Sequence, residues 1–530
     1  MQNLPISISE FTELRQKKCV YVDKTKYAHF LITKNSRTFL SRPRRFGKSL
    51  FVSMLEAVLQ GKKELFEGLW IAKSDYSWDP MGIIRLDFSL LNLQNAEQFT
   101  SSLMYLLQTI AEKNKVTLKD SSNLNTAFMS LIAALDAKFP TTHVAVLIDE
   151  YDYPIFHTLH QPDIAEEIRS VLKSFSSVIK AQAKYVQFVF VTGVSAFSKS
   201  GLSSGLNNLL NLTMLEDFSG ICGYTEEEID LYFSEHIQAW SKHHNTPYEN
   251  IRTDLKTWYN GYCFKEKTPR VYSPFSLTSA LYIQNLKNFW FESATPQFLL
   301  TELAKEERQK ETQFLELDML RGTEDLLQTF EIENLPLTAL LFQMGYLTID
   351  SYEPLSRNYT LRYPNLEVKA SLHRHLIGLL SKKTTFSINP LIGDLYTSLV
   401  EADIERTAAT LQKILSEIPY SLHIPKERFY HSLLQTLFSA AGINTQSERS
   451  TSIGRMDLVL ELPNFIYIIE LKLNAPALEG LKQIETQKHY EPFLNRNKPI
   501  RALGLSFLKK KSSKKTSSSF QIDYAIKAIS

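Results

Sequence analysis

Two largely apolar runs, the first of them unbroken, limit what this chain can become. Residues 144–148 read VAVLI, and residues 186–191 read VQFVFV. A strand with one wet face alternates apolar and polar residues. Runs like these fit parallel strands covered by helices on both faces. Between them Ile164, Ile168, Val171, Leu172, Phe175, Val178 and Ile179 recur at three- and four-residue spacing, which predicts a helix over 164–181. Upstream, Thr38–Leu40 reads as a short strand. After a polar turn, Leu50, Phe51, Met54, Leu55, Val58 and Leu59 follow at helical spacing. Strand, helix, strand, helix, strand is the order of an α/β domain with a mostly parallel sheet.

Composition narrows the setting. The 530 residues allow several domains, and 44% hydrophobic content excludes a solvated coil. Glycine (18) and proline (20) are sparse, which favours helix. A net charge of +2 commits the chain to neither nucleic acid nor membrane as a whole, so any binding surface is local. Cys19, Cys222 and Cys263 make no disulfide framework and no zinc spacing, as expected of a reducing, cytoplasmic setting. No apolar run reaches the length of a membrane span, and Glu10 and Glu13 sit where a secretory leader would be apolar.

The turn between strand and helix carries Gly47-Lys48-Ser49. In a P-loop, backbone N–H groups and the helix N-terminus cradle phosphates, the lysine neutralises β/γ charge, and the hydroxyl ligates Mg²⁺. Arg42 stands where the general pattern has its first glycine, and the loop runs Arg42-Pro43-Arg44-Arg45-Phe46. The three arginines read either as phosphate clamps or as a solvated loop. The expected ATP contacts are Arg44, Arg45, Phe46, Gly47, Lys48, Ser49 and Leu50. VAVLI ends in Asp149-Glu150. There Asp149 would hold Mg²⁺ together with Ser49, and Glu150 would orient or deprotonate the attacking water. Thr192, ending the next buried strand, would contact the γ-phosphate or the water, or simply cap the strand.

The C-terminal third offers a second site. LVLEL and FIYIIEL flank Pro463-Asn464, and Asp457 and Glu470 are equidistant from that turn. Paired as a hairpin, the two carboxylates come opposite each other, and Lys472 shares their face. Facing carboxylates call for a cation, and Mg²⁺ or Mn²⁺ is the simplest. The metal would activate water while Lys472 positions the nucleophile; the alternative is a surface ion-pair cluster. Glu427 opens a predicted helix over 427–441 and reads equally as a further metal ligand or as an acid at a helix N-terminus. A helix is expected over 475–494, carrying Gln483 as a phosphate contact or a cap, then strands over 501–508 and 520–526. The lysine-rich loop 509–519 reads as a solvated connection or a grip on a DNA backbone. Between the two sites, residues 335–373 suggest a helix and a two-stranded wing, a winged-helix-like lid.

These residues resemble a bacterial family in which an AAA-ATPase-like domain is fused to a C-terminal PD-(D/E)XK nuclease-superfamily domain. The resemblance rests on RPRRFGKSL (42–50), VLIDEYDYP (146–154), WYNGYCF (258–264), GRMDLVLEL (454–462), IYIIELKL (466–473) and similar stretches over nearly the whole chain. One departure is that the spacing from Gln483 to Tyr490 is a residue longer than usual. The resemblance implies ATP binding by Lys48 and Ser49, Asp149 and Glu150 as the acidic pair, and Asp457, Glu470 and Lys472 as a nuclease triad. It implies an α/β multidomain fold: a P-loop NTPase over 1–224, a helical region with the lid over 225–385, and a restriction-endonuclease-like domain over 386–530. Function is then ATP-regulated, metal-dependent cleavage of nucleic acid, with DNA favoured, no membrane partner, and self-association open. Defence or mobile-element roles follow by analogy. The alternatives are a nucleotide-dependent switch whose nuclease-like domain only binds nucleic acid or protein, and a nuclease whose P-loop domain hardly turns ATP over.

Overall fold

The computed structural model describes residues 1–34, 36–195, 209–290, 299, 303, 320–323, 326, 336–381, 385–418, 427–450, 455–496, 498–509 and 520–529. The chain forms two compact units: Met1–Phe298 with Met319–Asn365, and Leu299–Asp318 with Leu366–Ser530. The described helices over 226–283 and 337–343 and the wing belong to the first unit, and residues 366–381 to the second.

The first unit is built on five strands: β1 (Arg37–Ser41), β2 (Gly82–Asp87), β3 (Val144–Asp149), β4 (Val186–Gly193) and β5 (Leu210–Asn211). They lie in the order β2-β3-β4-β1-β5, all parallel. The apolar runs explain this arrangement. Val144 to Ile148 are fully buried, as a strand covered by helices on both faces must be. The Lys48–Leu59 and Leu124–Lys138 helices pack on β3, and Phe175 of the Pro162–Ala181 helix stacks on Phe128 of the latter at 4.3 Å. Because β4 lies between β1 and β3, the turn after β1 and the acidic end of β3 open on the same edge of the sheet. Ligands of open α/β sheets bind at that edge.

Also in this unit, β6 (Leu320–Thr323), β7 (Thr348–Glu353) and β8 (Asn358–Arg362) form an antiparallel sheet in the order β6-β8-β7. With the Leu337–Gln343 helix before it, the β7–β8 hairpin is the expected helix and wing, widened by one strand.

The second unit is a mixed sheet of β9 (Asn444–Ser450), β10 (Arg455–Glu461), β11 (Ile466–Leu473), β12 (Ile500–Lys509) and β13 (Phe520–Ala528), ordered β13-β12-β11-β10-β9. Only β11 and β12 run parallel. Their crossover contains the Ala477–Thr486 helix, which approaches β12 at Gly504; a Cβ there would lie 2.0 Å from the Ala477 carbonyl oxygen. The helix expected to reach residue 494 stops at Thr486, and a 3₁₀ turn follows over Glu491–Arg496. Lys488 takes a left-handed φ of 49° and breaks the α-helix there. Of the lysine-rich loop, 510–519 lies outside the described residues.

Candidate active sites

In the first unit Gly47, with φ 89°, caps the Lys48–Leu59 helix and turns the chain from β1 into it. The loop borders a cavity of about 430 Å³, which Arg44, Arg45, Phe46, Gly47, Lys48, Ser49, Leu50, Asp87 and Glu150 all line. Lys48 is buried. Its Nζ donates to the carbonyls of Arg42 and Pro43, both at 3.1 Å, and lies 3.6 Å from Glu150 Oε1. Asp149 is buried and hydrogen bonds to Ser49. Burial first, then the charge of Glu150, pushes its carboxyl up to about 6. Asp87, its register partner on β2, adds to the negative charge. An excess of buried carboxylate beside a hydroxyl is an oxygen donor set suited to Mg²⁺. Glu150 has a left-handed φ of 49° at the strand end.

Thr192 and Arg42 each have defined partners. Thr192 is buried beside Leu40, its register partner, and donates its hydroxyl to the Leu40 carbonyl at 2.9 Å. Arg42 is neither a phosphate clamp nor solvated. It is 1% exposed and donates to the carbonyls of Ser41, Thr213 and Phe218, with its guanidinium 3.9 Å from the Phe264 ring centroid. The loop's outer face is walled by aromatics. Phe46 meets Tyr262 edge-on at 4.7 Å, and Trp290 Nε1 donates to the Arg44 carbonyl at 2.9 Å. Gly345 allows a further close approach, since a Cβ there would sit 2.5 Å from the Pro43 ring.

The sequence reading missed Asp152. It is buried, and its Oδ2 accepts from Val194 N–H, Ser195 N–H and Ser195 Oγ–H at 3.0, 2.7 and 2.9 Å. Burial, then Glu150, raises this carboxyl to about 6. Its place two residues after Glu150 was the available signal.

In the second unit the β10–β11 ladder pairs Leu458 with Ile469 and Glu461 with Ile466. One further step in that register sets Asp457 opposite Glu470. The Glu470 carboxyl reaches hydrogen-bonding distance of both the carboxyl and the backbone N–H of Asp457, while Asp457 Oδ2 accepts Leu471 N–H at 2.8 Å. Glu470 is 1% exposed. Burial, and next the Asp457 carboxylate, pushes Glu470 well above the usual carboxylate range. Its Oε1 accepts no hydrogen bond. Two carboxylates brought together, one of them buried, fit a hard divalent cation. Lys472 Nζ donates to Gln483 Oε1 at 2.8 Å.

Glu427 is exposed at the start of the Glu427–Ala440 helix. One turn on, at the same-face spacing, His431 Nε2 lies 2.8 Å from the Asp457 carbonyl, so this helix face looks toward β10. No group of three or more His, Cys, Asp or Glu side chains is gathered for a metal among the described residues. His431 and His489, which lies 3.0 Å from Glu470 Oε1, were both missed from sequence. A lone histidine beside apolar residues gives no signal of its own.

Comparison with known proteins finds a family for each end of the chain. Residues 5–203 match the family described as "Predicted AAA-ATPase", and residues 425–517 match the PD-(D/E)XK nuclease superfamily. The chain is also 34% identical over 517 residues to an "Uncharacterized protein in vnfD 5'region" of Azotobacter chroococcum mcd 1, with 96% of each chain covered. No helix among the described residues is long and apolar enough to cross a membrane.

Proposed function

The chain belongs to the family joining a predicted AAA-ATPase domain to a PD-(D/E)XK nuclease-superfamily domain, and from that premise we propose an ATP-binding, ATP-hydrolysing protein whose C-terminal domain cleaves phosphodiester bonds in nucleic acid, DNA first, under control of nucleotide state. The observation that carries the cleavage reading is the meeting of two carboxylates, Asp457 and the buried Glu470, on one face of the hairpin.

In the N-terminal site, Lys48 would leave the Arg42 and Pro43 carbonyls to meet β/γ-phosphate oxygens. Ser49 and Asp149 would hold Mg²⁺, and Glu150 would orient the attacking water. In the hairpin site, Asp457 and Glu470 would hold Mg²⁺ or Mn²⁺, with Glu427 offering one more oxygen. When bound, the ion supplies a water of lowered pKa and neutralises charge developing on the phosphate. Lys472, held by Gln483, would orient the nucleophile against the phosphate.

The test is incubation of the full chain with linear, circular and single-stranded DNA and with RNA, with and without Mg²⁺, Mn²⁺ and ATP. Cleavage is expected only with metal, changed in rate by ATP, and absent in Asp457→Ala. A wild-type chain that cuts none of these under any condition overturns the reading in favour of a nucleotide-dependent binding switch.

A further inference from the structure

His489 lies just beyond the helix that carries Gln483. Gln487 N–H donates to the Gln483 carbonyl, Lys488 N–H to Glu485 and His489 N–H to Ile484, at 2.9, 3.3 and 3.1 Å. The last two bonds are the paired closure of a helix that ends in a left-handed residue, here Lys488 at φ 49°. That closure folds His489 back under the helix, where it is fully buried. Its Nδ1 lies 3.0 Å from Glu470 Oε1. The ring is not aimed along the line between them, so Nδ1, Nε2 and Oε1 all lack a hydrogen bond. Three buried polar atoms left together in this way are rare in native proteins unless they serve something. Ile484 and Phe493 form apolar core beside the turn, and an aliphatic side chain would suit such surroundings better than an imidazole.

We propose that His489 is a positioning residue for Glu470, fixing the carboxylate that shares a divalent cation with Asp457. The 3.0 Å separation is already within bonding reach. A modest turn of either group aligns an Nδ1–H with Oε1 and leaves the rest of the carboxylate for metal. Groups that orient a metal ligand in this way typically change affinity or activity 10–100-fold when removed. The proposal rests on the nuclease reading above.

The experiment is a calorimetric Mn²⁺ titration of the full chain without ATP, in which the binding lost on Asp457→Ala defines the hairpin site. His489→Asn keeps an amide N–H where Nδ1 stands; His489→Leu has nearly the same volume and no donor. Positioning predicts that Asn binds Mn²⁺ within a few-fold of wild type, and Leu about 10–100-fold more weakly. Circular dichroism should be unchanged in both. His489→Met repeats the apolar arm should the Leu variant fail to fold. A core-filling role predicts the opposite order, so Leu or Met binding as tightly as wild type, or Asn binding no better than they do, overturns the proposal and leaves the nuclease reading standing. If Asp457→Ala removes no Mn²⁺ binding, the hairpin metal site falls, and the proposal falls with it.

Discussion

Replacing Glu470 by Gln should make the metal-free chain more stable, and increasingly so as pH rises. Glu470 is 1% exposed, and burial together with the Asp457 carboxylate holds its folded-state pKa above neutrality. In the unfolded chain a glutamate titrates near 4.3. Between those two values the folded pair keeps a proton that the unfolded chain has released. Stability from this group is therefore fully present below about pH 4.3 and is lost at about 1.4 kcal/mol per pH unit as pH rises through the folded value. At pH 7 the accumulated cost is about 4 kcal/mol. Gln carries no proton to lose, so the variant should lack this slope. The assay is urea unfolding in EDTA at pH 6, 7 and 8. All five tryptophans fall at or before Trp290, so their emission follows the first unit, while far-UV circular dichroism adds the second. The stability difference between variant and wild type should widen by about 1.4 kcal/mol per pH unit. Binding Mn²⁺ should expel the shared proton from wild type, giving a calorimetric enthalpy that depends on the buffer. Parallel pH dependences for the two proteins would refute the buried-pair reasoning, whatever the cleavage assay shows.

Lys48→Ala should weaken ATP binding by about 1.5–3 kcal/mol, the scale of charged hydrogen bonds, and calorimetry showing equal affinity would remove the P-loop assignment. Glu150→Gln should bind ATP normally and hydrolyse it slowly, measured as phosphate release under single-turnover conditions. Arg42→Gly completes the general P-loop pattern, yet it should cost about 3–5 kcal/mol by leaving three carbonyls without their donor, read from the tryptophan-emission unfolding midpoint. Asp152 has a folded pKa raised to about 6, so its contribution is present below about 3.9 and lost as pH rises through 6; Asp152→Asn should flatten that part of the first unit's pH–stability curve. Hydrogen exchange over 345–362 should differ between the apo and ATP-bound chain, and identical exchange would mean that the wing does not sense the phosphate loop.

The hairpin was legible because a strand register is arithmetic. Once Pro463-Asn464 is the turn, every pair follows, and β10–β11 keeps that register. The parallel sheet was legible for a similar reason, since Val144–Ile148 has no polar face to expose. The end of the Ala477–Thr486 helix was not. Tyr490 and Phe493 continue an apolar pattern, and the residue that stops the helix is Lys488, a lysine in a conformation that sequence normally marks with glycine. His489 was hidden behind that stop. The division into compact units was hidden as well, because helical periodicity is the same on both sides of Leu366 and only tertiary packing sorts it.

Arg42 shows why the phosphate loop itself could be read only by half. Its chemistry depends on Gly47, Lys48 and Ser49, which are local, and these read correctly as a turn into a helix. Its rigidity depends on residues far away in sequence. A general P-loop begins with glycine so that the chain can turn tightly. Here the turn is held from outside: the Arg42 guanidinium collects the carbonyls of Ser41, Thr213 and Phe218 and lies over Phe264, Phe46 is set against Tyr262, and Trp290 holds the Arg44 carbonyl. Those partners come from the GYCF stretch and from segments on either side of it. A loop fixed in this way cannot rearrange around a phosphate without shifting groups that also touch the wing. Tyr346 lies 5.1 Å from Trp290, and Cys263 N–H donates to Thr348 Oγ1 at 2.7 Å. The arginine that breaks the P-loop pattern is thus where the proposed nucleotide site is joined physically to the rest of its unit.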